Sequence, residues 1–113
     1  MTSEPNFIPD KLQHQYQESI PEKINTLKQL ISQFQNIQDL DSLTSLRNAV
    51  HKIAGSAGTY GYSEVSKICK EFEGDLIQKI KDFSNGAHSD WLTDFENYII
   101  KIEEGFIHAN KQK

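Results

Sequence analysis

Apolar residues recur at steps of three and four in four separate stretches of this chain, and nowhere do they alternate long enough to make a strand. That restricts the fold to helices packed on one another. One stripe runs through Ile24, Leu27, Ile31 and Phe34; a second through Leu43, Leu46, Val50, Ile53 and Ala57. A third takes Val65, Ile68, Cys69, Phe72 and Leu76, and the last Leu92, Phe95, Ile99, Ile102 and Phe106. Upstream, residues 10–19 read as a short, weakly amphipathic helix carrying Leu12, Tyr16 and Ile20. Ser19, Pro21 and Glu22 read as the start of the next, because proline fits a first helical turn. A break falls at residues 36–39, with Asp39 or Asp41 as N-cap. Gly58 and Gly61 mark the end of the following helix, and Ser63 can cap the one after it. A polar loop at 82–88 precedes Ser89, the expected cap of the last helix. Short loops favour antiparallel neighbours, so the fold class predicted is all-α. It is an up-and-down antiparallel four-helix bundle over about residues 20–109, with residues 1–19 as an N-terminal segment and short capping helix.

At 113 residues the chain has room for one core, and residues 1–113 are read as one domain. The net charge of −4 and the absence of any Lys/Arg cluster interleaved with aromatics argue against nucleic acid as a partner. No window approaches the roughly 18 apolar residues of a membrane span, and the first ten residues lack the basic and apolar regions of a signal peptide. A cytoplasmic protein with no membrane partner is expected. Met1 and the polar residues 111–113 lead us to expect a complete chain. Cys69, the only cysteine, sits on an apolar stripe and reads as a buried structural thiol.

On a wheel of about 100° per residue, the stripe from Leu43 to Ala57 defines an inward direction, and His51 and Gly55 then lie roughly 120° or more from it, alongside Thr44. The histidine faces outward over a glycine. An interior glycine costs about 1 kcal/mol relative to alanine, so Gly55 calls for a compensating role. It can leave a flat approach to the histidine for another protein or a phosphoryl group. Spacing alone equally suits close packing of a neighbouring helix. In an antiparallel hairpin with the next helix, Glu73 falls within about one turn of His51, on the same flank. A carboxylate bonded to Nδ1 would fix the tautomer and leave Nε2 outward, as a nucleophilic histidine requires. The alternative is an ordinary solvated glutamate.

The run Ala49-Val50-His51-Lys52-Ile53-Ala54-Gly55-Ser56-Ala57-Gly58-Thr59-Tyr60-Gly61 resembles the signature of histidine-containing phosphotransfer (HPt) domains of two-component phosphorelays. The pattern of an apolar residue two after the histidine and glycines four and ten after it is met by Ile53, Gly55 and Gly61. The likeness extends upstream through residues 16–23 and downstream to Glu73. It implies that His51 takes a phosphoryl group from the aspartate of one response-regulator receiver domain, or from a hybrid sensor histidine kinase, and passes it to another. It implies too that Glu73 orients His51, and that docking uses Gly55, Lys52, Ala54, Thr44, Asn48 and Gly58. One departure stands out: the family often has lysine three residues after the histidine, where this chain has Ala54. By the hairpin count Lys70 lies opposite Ala54 and is the candidate for the missing charge near the phosphate.

There is no Gly-x-x-x-x-Gly-Lys-Ser/Thr loop for a nucleotide, so no kinase activity of its own is expected. No intrinsic cofactor or metal site is expected; Mg2+ would come with the partner receiver. The protein is expected to act as a monomer. Two rival readings remain. A metal-carboxylate bundle needs inward Glu-x-x-His pairs, which are lacking; Glu104 with His108 is one surface pair, and His14 and His88 have no partner at ligand spacing. The other rival is a helical interaction module that binds a kinase or receiver without carrying phosphate.

Overall fold

The computed structural model describes residues 9–85 and 90–111. Four helices, α1 (Asp10–Ile37), α2 (Leu40–Thr59), α3 (Ser63–Lys81) and α4 (Asp90–Lys111), pack in cyclic order, each against the next and α4 against α1. A 3-10 turn, Phe83–Asn85, follows α3. Every neighbouring pair runs antiparallel. Tyr16 of α1 meets Ser56 late in α2, Gly58 of α2 meets Ser66 early in α3, Phe72 of α3 meets Phe95 of α4, and Phe34 of α1 stacks on Trp91 at the start of α4. The predicted up-and-down bundle is the fold.

The separate N-terminal helix does not exist as such. Residues 10–37 form one continuous helix with Pro21 inside it. Proline in a helix interior removes one backbone bond and costs about 3 kcal/mol. The apolar stripe nonetheless runs unbroken across it, burying Tyr16, Ile20, Ile24, Leu27, Ile31 and Phe34 against the other helices. Burial of such side chains is worth roughly 1.5–3 kcal/mol each. Packing on both sides of Pro21 therefore outweighs the lost bond. The first turns of α1 still cover one end of the bundle: Gln13 donates to the Tyr60 carbonyl, and Tyr16 stacks on Tyr60. Leu12, expected inward, is 43% exposed in the turn beyond that contact.

The chain turns tightly between elements. Gln38, in the left-handed region at φ 55°, donates its N–H to the Phe34 carbonyl, and Asp39 then caps α2 by accepting from the Ser42 N–H. Interaction with the Ser42 hydroxyl, and after it the bond from the Ser42 N–H, holds the Asp39 carboxyl below its usual range. Gly58 is the penultimate residue of α2, in the last turn where it was expected to mark the end. The end is a paired closure in which Tyr62 N–H reaches the Ala57 carbonyl and Gly61 N–H the Gly58 carbonyl, with Gly61 at φ 89°. Tyr62 precedes α3, so Ser63 is the first residue of that helix and makes no cap. The expected cap Ser89 and His88 lie outside the described residues.

The core is continuous and adds two aromatics beyond the predicted stripes, Tyr62 and Trp91. At the far end Lys79 is buried, its ammonium held by Asp75 and Asp94 and lying over the Trp91 ring. Burial works against that charge, yet the bonds to the two aspartates prevail and keep Lys79 protonated above its usual range. Cys69 is fully buried, and desolvation pushes its thiol up to about 12. That matches the structural thiol expected. Among the described residues, no helix is long and apolar enough to cross a membrane.

Candidate functional site

The α2–α3 seam sets the site. Gly58 permits a close approach: a Cβ there would lie 3.2 Å from Ser66 Oγ, and that hydroxyl donates to the Ala54 carbonyl at 2.8 Å. Two turns further along, Glu73 reaches back to His51, with Oε2 at 2.9 Å and Oε1 at 3.1 Å from Nδ1. The His51 side chain is 66% exposed, whereas Glu73 is only 13% exposed. The ring therefore stands in solvent on a carboxylate that is largely shielded from it. An ionised carboxylate only accepts, so the neutral ring fits this contact as the Nδ1–H tautomer, which has its lone pair on Nε2. The contact that spacing placed within about one turn is direct.

Gly55 is exposed, and a Cβ built on it would meet nothing within 4 Å. No helix packs on it. The reading in which Gly55 serves helix packing is thereby removed, and Gly58 turns out to be the packing glycine of α2. Thr59 Oγ1 donates to the Gly55 carbonyl, which satisfies that acceptor beside the open surface. Asn48 and Lys52 are exposed and Thr44 is half-buried. Ala54 is only 4% exposed, its methyl turned into the core, so it offers no docking contact. The physical reason is angular: three residues after His51, the side chain has rotated back toward the apolar stripe.

The seam register puts Lys70 opposite Ala54, as the hairpin count expected, on an exposed groove with Gly58, Ser63, Ser66 and Lys67. Its ammonium makes no hydrogen bond or ion pair among the described residues, and it does not touch His51. The residue that sequence reasoning missed is Arg47. Its Nη2 lies 3.2 Å from Glu73 Oε2, and its Nη1 donates to Asn48 Oδ1. Arg47 stands one turn before His51 on α2, so an opposite charge to Glu73 at that spacing was the available signal. Its Nε is buried, with no hydrogen-bond partner among the described residues.

The other histidines stand apart. His14 pairs with Glu18 at 3.2 Å on exposed α1, and His108 lines a groove between α3 and α4 with Glu104. Among the described residues, no three of His, Cys, Asp and Glu gather closely enough to hold a metal ion.

A four-helix bundle in which a shielded carboxylate from one helix holds a solvent-facing imidazole on the next defines a class of histidine-bearing helical modules. A family model described as the Hpt domain matches residues 11–105. The chain belongs to the Hpt domain family, which serves phosphotransfer in two-component relays and engages receiver domains and kinases. Comparison with curated proteins and with solved structures gives no match.

Proposed function

We propose that this protein is a phosphocarrier in which His51 accepts a phosphoryl group from a receiver-domain aspartate, or from a hybrid sensor kinase, and delivers it to another receiver. The observation that carries this reading is the bond from His51 Nδ1 to a shielded Glu73 beneath an exposed ring. In transfer, the Nε2 lone pair attacks phosphorus, the N–P bond forms, and the P–O bond to the aspartate breaks, leaving a carboxylate. The Nδ1 proton stays on the ring, and Glu73 offsets the positive charge that develops there. Reversal of the same step delivers the group to the next aspartate. Catalysis by this chain is then mainly orientation of a nucleophile on a dockable surface.

The docking surface in this reading is the exposed set Gly55, Lys52 and Asn48 around the ring, with the half-buried Thr44 beside it and Gly58 at its edge. Lys70, exposed on the neighbouring groove, supplies a positive charge for the phosphoryl oxygens, and Lys70→Ala is expected to slow transfer; an unchanged rate would remove that role. Any Mg2+ in the step is attributed to the receiver, because Glu73, the carboxylate bonded to His51, is already engaged by two donors. We take residues 1–113 as one such domain, acting as a cytoplasmic monomer.

The test is to incubate the protein with a phosphorylated receiver. Wild type should gain an acid-labile, base-stable label that His51→Gln lacks. Absence of label on wild type with several cognate receivers would favour instead a module that binds without carrying phosphate.

A further inference from the structure

Glu73 crosses from α3 on a flexible side chain, and a carboxylate with a single partner readily exchanges it for water. Glu73 has two partners. Arg47 Nη2 and His51 Nδ1 converge on the same oxygen, Oε2, at 3.2 Å and 2.9 Å. Both donors stand on α2 one turn apart, so the carboxylate is gripped from two points of one rigid element. Arg47 is itself anchored, through Nη1 to Asn48 and with Nε buried against the protein. A guanidinium only donates and an ionised carboxylate only accepts, so this chain of bonds fits a donating Nδ1–H and no other tautomer of the neutral ring.

We infer that Arg47 is a positioning residue for the phosphoryl transfer: it clamps the Glu73 carboxylate and, through it, holds the His51 ring in the Nδ1–H tautomer with Nε2 outward. The inference rests on the reading of His51 as the phosphoryl acceptor. It adds a residue that the motif around His51 does not contain.

Nitrogen-15 NMR of the imidazole, at a pH where the ring is neutral, reads the tautomer without any transfer reaction. Wild type should be mainly Nδ1–H. In Arg47→Ala the ratio of Nε2–H to Nδ1–H should rise about fivefold or more, the scale of coupling between directly bonded neighbours. Arg47→Lys should restore most of the wild-type ratio, and the same spectra show that each variant is folded. Transfer from a phosphorylated receiver should slow by about fivefold in Arg47→Ala. That loss should vanish when the substitution is made in a Glu73→Ala background. An unchanged tautomer ratio in Arg47→Ala overturns the inference. So does a loss of rate that persists without Glu73, which would mean that Arg47 acts by touching the receiver. A wild type that takes no phosphate would defeat the acceptor reading, and the role of Arg47 in transfer with it, while the tautomer ratio would still decide whether Arg47 clamps Glu73.

Discussion

Replacing Gly55 by alanine separates what the glycine costs from what it provides. An interior helical glycine is about 0.8–1.0 kcal/mol less favourable than alanine. Packing does not offset the gain, because the added Cβ meets no atom within 4 Å. Gly55→Ala should therefore stabilise the domain by about 1 kcal/mol, roughly a 4 °C rise in Tm for a chain of this size. Gly74, equally open in α3, should give a similar gain. Gly105→Ala should not, because its Cβ would lie 2.9 Å from Val65 Cγ2 and the β-branched valine has little room to yield. Urea denaturation, with the slope checked for constancy, measures all three. The new methyl on Gly55 sits about 5–6 Å from the His51 Cβ, on the path of an approaching receiver. Overpacking a tight contact costs about 1–3 kcal/mol, so transfer should slow about fivefold or more. A variant that is stabilised yet transfers at the wild-type rate would refute the view that Gly55 is a docking floor. A variant that is not stabilised would refute the open-surface argument itself.

Two further substitutions test the scaffold. Gly61→Ala places a Cβ at φ 89° with no neighbour within 4 Å, so its cost is purely that of the left-handed backbone, about 1–2 kcal/mol in urea denaturation; a neutral result would mean that the turn relaxes freely. Burial raises the Cys69 thiol to about 12, so the unfolded chain loses its thiol proton first as pH rises. Its contribution to stability is full below about pH 9 and declines toward about pH 12, by up to 1.4 kcal/mol per pH unit. Comparing wild type with Cys69→Ala across that window isolates this slope from the tyrosines and Lys79; identical slopes would contradict the burial argument.

The periodic stripes carried most of the fold because each helix buries a single face, and nearly every residue on those stripes is inward. They misplaced the start of α1 because proline chemistry is local, whereas the packing that carries the helix through Pro21 comes from residues on both sides of it. Tyr62 and Trp91 escaped notice because they stand at a helix junction and in a first turn, where periodicity has no reach. His51, Gly55 and Glu73 were legible because helix angle and hairpin register are set by simple counting. Ala54 was misjudged because its place in a motif was read without its angle. Arg47 was missed because it lies at the margin of the apolar stripe, where a charge usually marks only the edge of the solvated face. Its meaning depends on a carboxylate arriving from another helix.

The most direct measurement of the central claim is the identity of the atom that carries the phosphoryl group. In protein labelled with nitrogen-15 at histidine and phosphorylated by a receiver, the phosphorus should couple to Nε2 of His51, with Nδ1 still protonated against Glu73. Phosphorus on Nδ1, on another histidine, or on no histidine at all would contradict the account.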